Sequence, residues 1–119
     1  MSELRIGPAE TQFAEIIWEN EPIASGALSK KAEEILGWKK TTSFTVLKRL
    51  SERGIFQNQN GTVTSLIFKE EFYARHSEQY VQENFGGSLP AFLTAFSARK
   101  KLSDKEIDEM KELIEKMRG

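Results

Sequence analysis

The chain has 119 residues, of which 39% are hydrophobic and 29% charged, and its formal net charge at pH 7 is -1. This composition excludes a disordered chain, and no apolar run approaches the roughly 18 residues that a membrane-spanning helix needs. The absence of cysteine excludes disulfides, thiolate metal sites and cysteine nucleophiles. Since Met1-Ser2-Glu3 begins no signal peptide, we expect a cytoplasmic protein without membrane insertion.

The charges are segregated along the chain. Residues 1–29 carry a net charge of -4, residues 30–54 of +4, residues 55–98 of -2 and residues 99–119 of +1. A local basic patch attracts phosphate groups whatever the total charge of the protein. The segment 30–54 is therefore a candidate nucleic-acid contact, and the alternative is a solvated helix face.

Two helices are predicted before residue 38. The first begins after Pro8, which loses no needed donor at a first helical position, and ends before Pro22, so that it covers about residues 9–20. The second begins near Ser25, a favourable N-cap, and is closed by Gly37 in a left-handed conformation. The apolar faces of the two helices consist of Phe13, Ile16 and Ile17, and of Leu28, Ala32, Ile35 and Leu36.

A third helix and a β-hairpin follow. The helix begins at Thr41 or Thr42 and ends at Gly54, and its inward face consists of Val46, Leu47 and Leu50. Asn60-Gly61 is the preferred pair for a tight type I′ turn and joins a strand over residues 55–59 to a strand over residues 62–68. Three helices followed by a hairpin is the order of a winged helix-turn-helix.

The remainder of the chain is predicted to be helical, with a break at Gly86-Gly87 and a capping box at Ser103-Asp104-Lys105-Glu106. Its three helices carry more apolar surface than one short lobe can bury. We therefore predict a mainly α fold with a small β wing, in which residues 1–69 form a winged helix-turn-helix domain and residues 70–119 form a helical dimerisation region. The alternative is that these helices fold back on their own winged helix. The predicted dimerisation residues are Phe72, Tyr80, Leu89, Phe92, Leu93, Phe96, Ile107, Met110 and Ile114.

No pattern in the sequence indicates catalysis. The single His76 cannot form a metal cluster, and adjacent acidic pairs such as Glu33-Glu34 point in different directions on a helix. Gly86-Gly87 lacks the flanking pattern of a phosphate-binding loop. We expect Trp18 and Trp38 to pack in the core or at a hinge, with a base-stacking platform as the alternative. The sequence thus predicts neither an enzyme nor a cofactor or metal.

The third helix supplies the predicted contacts with DNA. Its N-terminal hydroxyl residues would lie where free N–H groups favour a phosphate, and Ser43, Phe44 and Thr45 would point into the major groove. Thr42 has an alternative role as the helix N-cap, and Phe44 has an alternative place in the core. The wing tip, residues 57–62, has no Lys or Arg, so we expect weak backbone or minor-groove contact there. The predicted DNA-binding residues are Lys39, Lys40, Thr41, Thr42, Ser43, Phe44, Thr45, Lys48 and Arg49.

Motifs over nearly the whole chain carry a family resemblance. They lie at residues 10–18, at Pro22 and the segment after it, and at residues 36–50, 85–89 and 101–107. Gly86-Gly87-Ser88 before an apolar helix, followed by Leu102-Ser103-x-x-Glu106-Ile107, is much more specific than a generic helix-turn-helix. In these features the chain resembles the BlaI/MecI penicillinase repressors, a family of winged-helix transcriptional repressors that includes the copper-responsive CopY repressors.

The resemblance implies an N-terminal winged helix, a C-terminal dimerisation lobe and repression by a homodimer at a palindromic operator on double-stranded DNA. The best-known members are inactivated by proteolysis in the C-terminal lobe, which implies a sensor-linked protease as a partner. The bond that aligns with their Asn-Phe cleavage junction is here Ala95-Phe96. The lack of cysteine argues against copper sensing, and Gln59-Asn60-Gly61-Thr62 stands where the family wing usually has a basic residue. A winged-helix module that binds an acidic protein is the rival interpretation.

Overall fold

The computed structural model describes residues 5–119 and confirms the predicted class, a mainly helical fold with a small sheet. The signal-peptide prediction at Met1-Ser2-Glu3 concerns residues outside that range. The elements in chain order are α1 (Pro8–Asn20), β1 (Ile23–Ala24), α2 (Ser25–Leu36), α3 (Lys40–Glu52), β2 (Phe56–Gln59), β3 (Thr62–Ser65), α4 (Lys69–Phe85), α5 (Leu89–Ser97) and α6 (Asp104–Lys116).

The chain divides into two compact units, and the division falls inside α4. The N-terminal unit ends at Gln79, and the C-terminal unit comprises Tyr80–Gly119. The predicted domain boundary between residues 69 and 70 stays a prediction. Among the helices of residues 5–119, none has both the length and the apolar character needed to cross a bilayer.

The wing is a three-stranded antiparallel sheet in the order β1-β3-β2. Ile23 lies opposite Val63 in the β1–β3 pair, and Phe56 lies opposite Ser65 in the β2–β3 pair. The turn at Asn60-Gly61 has φ values of 54° and 85°, which are the positive angles that a type I′ turn requires at both central residues. The predicted hairpin turn is thereby confirmed.

The second strand of the hairpin is shorter than predicted. It ends at Ser65, because the N–H groups of Leu66 and Ile67 turn to the carbonyl oxygen of Ile55, at 2.8 and 3.2 Å. The strand β1 was not predicted, because two residues are too few to show the alternating pattern of a strand. It nevertheless ties the segment between α1 and α2 to the wing.

The predicted side-chain caps of two helices are wrong. α2 begins at Ser25 itself, with Ala24 as the N-cap residue, and α3 begins at Lys40, with Lys39 as the N-cap residue. Neither N-cap residue makes a side-chain hydrogen bond, so Thr42 does not have the capping role considered for it. Gly37 closes α2 as predicted, with a left-handed φ of 71°.

The core of the N-terminal unit is formed by α1, α2, α3 and the wing. Phe13, Ile17, Leu50 and Phe56 are among its fully buried side chains. The two tryptophans pack against this core, as predicted. Trp38 stacks on Phe13 with ring centroids 5.1 Å apart, and the indole N–H of Trp18 donates to the Ile67 carbonyl at 3.1 Å. One predicted core residue, Ile35, is instead 63% exposed.

Phe72 also belongs to this core, which corrects its prediction as a dimerisation residue. It lies near the start of α4, is fully buried, and has its ring centroid 5.2 Å from that of Trp18. The start of α4 is further held to α1 through Glu15, whose carboxylate accepts from the Lys69 ammonium at 3.0 Å and from the Tyr73 hydroxyl at 3.1 Å. A side chain buried inside its own unit has no surface to offer a second copy.

The C-terminal unit begins with the last turns of α4 and continues through α5 and α6. Gly86 and Gly87, with φ values of 60° and 84°, end α4 where the break was predicted. Ser88 caps α5 by accepting from the Ala91 N–H, and the Ser103–Glu106 capping box opens α6 as predicted. No residue from Tyr80 to Gly119 is buried in this chain alone.

Candidate DNA interface

α3 has one buried face and one open face. Val46, Leu47 and Leu50 are at most 7% exposed and point into the core, as predicted. Because residues three and four apart share one side of a helix, the opposite side turns to solvent. The exposed residues of α3 and its N-cap include Lys39, Lys40, Thr41, Thr42, Phe44, Thr45, Lys48 and Arg49.

Ser43 is the one predicted base-contacting residue that faces the wrong way. It is 2% exposed, and its hydroxyl has no hydrogen-bond partner among residues 5–119. It lies three residues before Val46 and four before Leu47, so helical spacing places it on the inward face. The hydroxyl character of Ser43 favoured the outward prediction, whereas its spacing from the apolar residues gave the correct orientation.

Phe44 faces outward, so its alternative place in the core is wrong. Its side chain is 36% exposed, and the Lys40 ammonium lies 5.7 Å from the ring centroid. This cation–π contact places a cation and an apolar ring next to each other at the start of α3. At the next residue, the Thr45 hydroxyl donates to the Thr41 carbonyl at 2.8 Å, and the hydroxyl oxygen can still accept a hydrogen bond.

The basic residues of α3 are of two kinds. Lys39, Lys40 and Lys48 are exposed, and none has an ion-pair partner within the described part of the chain. Arg49 instead donates from Nη1 to Oε2 of Glu10 on α1 at 2.9 Å. The sequence analysis missed this pair, because the two residues lie 39 positions apart and nothing local indicates their contact.

The surroundings of Glu10 favour the ionised form of its carboxyl group. Burial raises its pKa, but a hydrogen bond from the Gly7 N–H, a hydrogen bond from Arg49 and the charges of Arg49 and Arg53 together hold that pKa below its usual value. Glu10 is therefore ionised at neutral pH, and it pairs with Arg49 as a charged group.

The wing tip is polar and uncharged. Asn58, Gln59, Asn60, Gly61 and Thr62 are all exposed, and β2 and β3 contain no Lys or Arg. The strand that leads away from the tip is fixed at its far end, because a carboxylate oxygen of Glu21 accepts from both the N–H and the hydroxyl of Ser65 at 2.8 Å. The hairpin thus presents amide and hydroxyl groups on an anchored base.

The described residues contain no cluster of potential metal ligands. No group of three or more His, Asp or Glu side chains in residues 5–119 is placed to hold a metal ion. Three packed helices, of which the third exposes a polar face, followed by a hairpin define the winged helix-turn-helix class.

Comparison with known sequences places the chain more narrowly. The sequence model of the penicillinase repressor family matches residues 6–116, and the chain belongs to that family. It is 24% identical over 115 residues to the penicillinase repressor of Bacillus licheniformis, covering 93% of this chain and 90% of that one. It is 21% identical over 115 residues to the methicillin resistance regulatory protein MecI of Staphylococcus aureus, covering 93% and 94%. The chain is a DNA-binding transcriptional repressor, and its family comprises regulators rather than enzymes.

Proposed function

We propose that this repressor acts as a cytoplasmic homodimer without a cofactor, and that α3 of each protomer enters the major groove of one half of a palindromic operator. The observation that carries the proposal is the open face of α3. There Phe44 and Thr45 are exposed together with Lys39, Lys40 and Lys48, which have no acidic partner among residues 5–119. Such a face matches a groove lined by phosphates at its rims and by base edges at its floor.

The proposed roles follow from chemistry and position. Lys39, Lys40 and Lys48 neutralise phosphates, which fixes the register of the protein on the duplex but carries little sequence information. The free N–H groups at the start of α3, with the hydroxyls of Thr41 and Thr42, favour a further phosphate. Phe44 packs on a thymine methyl group and Thr45 contacts a base edge.

The exposed apolar residues of the C-terminal unit support the homodimer. A unit of this size rarely buries enough apolar surface to fold stably alone. Leu89 is 44% exposed, Phe96 43% and Ile114 48%, and the ends of α5 and α6 line an apolar groove between them. A second copy of the same unit would cover these residues by two-fold symmetry, as in most soluble dimers. The remaining dimerisation residues in the proposal are Tyr80, Phe92, Leu93, Ile107 and Met110.

We further propose that proteolysis controls this repressor. The names of the two relatives point to an antibiotic response, and cleavage of the Ala95-Phe96 bond by a sensor-linked protease would serve one. Both residues are exposed in the last turn of α5, and a cut would separate α6 from the rest of α5. The Ala95 carbonyl still accepts from the Ala98 N–H at 3.3 Å, so cleavage requires this turn to open locally. Mass spectrometry of the repressor from induced cells tests this step, and an intact chain with fully derepressed target genes would refute it.

The test of DNA binding is a polarisation titration with the promoter DNA upstream of the repressor's own gene, at several salt concentrations. Lys48→Ala should weaken binding to every duplex and reduce the salt slope by about one, whereas Thr45→Val should change the preference at one base by about 1–3 kcal/mol. Lys111→Ala is the charge-matched control, since Lys111 is exposed on α6. Equal binding of all these variants to all duplexes would refute the role of α3.

The rival function is recognition of an acidic protein by the same basic face. A titration with polyglutamate separates the two functions, because a polyanion without bases or groove satisfies only the charges. Tighter binding to the promoter than to polyglutamate and to scrambled DNA supports the operator. Sedimentation tests the dimer: the full chain should sediment as a dimer at micromolar concentration and Ile114→Glu as a monomer.

A further inference from the structure

Arg49 differs from the lysines on the open face of α3, because it pairs with a carboxylate and they pair with none among the described residues. Its guanidinium pairs with Glu10 at 2.9 Å, with 49% of the arginine side chain and 18% of the glutamate side chain exposed. The two residues join the N-terminal turn of α1 to the C-terminal half of α3. Half of the Arg49 side chain remains open to solvent next to Lys48.

The position of Glu10 is fixed by the backbone of α1. While Oε2 accepts from Arg49, Oε1 accepts from the Gly7 N–H at 3.0 Å. The next turn of α1 carries Phe13 and Ala14, both fully buried, so the helix that holds this carboxylate is embedded in the core. Glu10 is thus a rigid partner rather than a mobile surface acid.

A guanidinium has five N–H donors, and Glu10 occupies one of them. The flat, forked shape of the group can serve two anions at once, so a phosphate can bind to the donors that Glu10 leaves free. A side chain that is held before DNA arrives also loses less conformational entropy on binding. Because the Arg49–Glu10 pair has no net charge, it exerts little electrostatic attraction on distant phosphates.

We propose that Glu10 is a positioning residue for DNA recognition: it orients the guanidinium of Arg49 toward one backbone phosphate and removes its free charge. Arg49 then contributes register, while Lys39, Lys40 and Lys48 contribute electrostatic attraction. This inference rests on the proposed function, since it assumes that the open face of α3 binds DNA. It makes an acidic residue outside the predicted DNA-binding set a determinant of discrimination between sequences.

The test compares Glu10→Gln with Glu15→Gln. Both variants remove one carboxylate charge from α1, and both carboxylates pair with a cation, but Glu15 pairs with Lys69 on α4. The side-chain amide oxygen that Glu10→Gln introduces can still accept from the Gly7 N–H, which preserves the start of α1. Each variant is titrated against the promoter duplex and a scrambled duplex of equal length from low to high salt, and its thermal unfolding is followed by circular dichroism.

Glu10→Gln should free Arg49, steepen the salt slope on scrambled DNA by about 0.9 and reduce the ratio of promoter to scrambled affinity. Glu15→Gln should change neither the slope nor the ratio by as much. The effect should vanish in an Arg49→Ala background, and Arg49→Lys should lose promoter affinity although it keeps the charge. A purely structural ion pair would lower the melting temperature but would leave slope and ratio unchanged.

Equal slopes and ratios for Glu10→Gln and Glu15→Gln would overturn the inference, and so would an effect of Glu10→Gln that persists with Arg49→Ala. If Glu10→Gln does not fold, Arg49→Lys decides by itself: unchanged promoter affinity overturns the inference. Wild-type protein that binds neither duplex at any salt concentration would overturn the proposed function as well. Wild-type binding with an unaffected Glu10→Gln would overturn the inference alone.

Discussion

Phe72→Ala should destabilise the N-terminal unit by about 3–5 kcal/mol, the usual cost of removing a fully buried phenyl ring. The ring is 0% exposed, and its centroid lies 5.2 Å from the ring of Trp18 and 5.5 Å from that of His76. Aromatic pairs of this kind add about 0.5–1.5 kcal/mol beyond the area that they bury. Because a domain is typically stable by only about 5–15 kcal/mol, the variant should lose a large part of its stability.

The assay is urea unfolding followed by circular dichroism at two protein concentrations. The loss caused by Phe72→Ala should be the same at both concentrations, because the contacts lie inside one unit. Phe96→Ala is the control: its side chain is 43% exposed, so its cost should be smaller and should depend on concentration if it lies in the dimer interface. A stable Phe72→Ala protein that sediments as a monomer would contradict the packing described above and would restore Phe72 to the interface.

Two further predictions concern contacts in the N-terminal unit. Glu21→Ala should destabilise the wing by about 1.5–3 kcal/mol, since it removes the charged acceptor of the Ser65 N–H and hydroxyl. Ser65→Ala keeps the bond from the backbone N–H and should cost less. Equal losses of stability in urea unfolding would contradict this prediction. Burial of Tyr73, and secondly its hydrogen bond to Glu15, raise the pKa of its hydroxyl above 10.0. The stability that this hydroxyl contributes is therefore fully present below pH 10.0 and is lost as the pH rises through the raised pKa. The free energy of unfolding of Tyr73→Phe should therefore fall less steeply in alkali than that of wild type, and Tyr80→Phe is the control. Identical pH profiles for Tyr73→Phe and wild type would contradict the stabilising role of the protonated hydroxyl.

Local signals in the sequence predicted much of the fold. Asn60-Gly61 predicted the wing turn because few other pairs accept two positive φ angles. Ser103 and Glu106 predicted the start of α6 because both partners of a capping box lie within one turn. In these cases the interaction that forms the structure is contained in a few consecutive residues.

The errors arose where distant packing decides. Phe72 and Tyr73 are neighbours with similar chemistry, and only the line along which α4 meets α1 determines which of them is buried. Glu10 and Arg49 lie 39 positions apart, so their contact depends on the crossing of α1 and α3. Ser43 is a different case, because the apolar period of α3 already placed it inward. At the candidate site, the outward direction of Phe44 and the openness of the lysines could be predicted, but the pairing of Arg49 could not.

The strand order of the wing has a consequence for the solubility of the protein. β3 lies between its two neighbours, so the free backbone groups of β2 lie along its outer edge. That edge strand is four residues long, ends in a tight turn and carries the exposed amide side chains of Asn58 and Gln59. Natural sheets use such short, polar edges to discourage pairing with strands of other molecules. The hairpin can therefore stay exposed to solvent without becoming a template for aggregation.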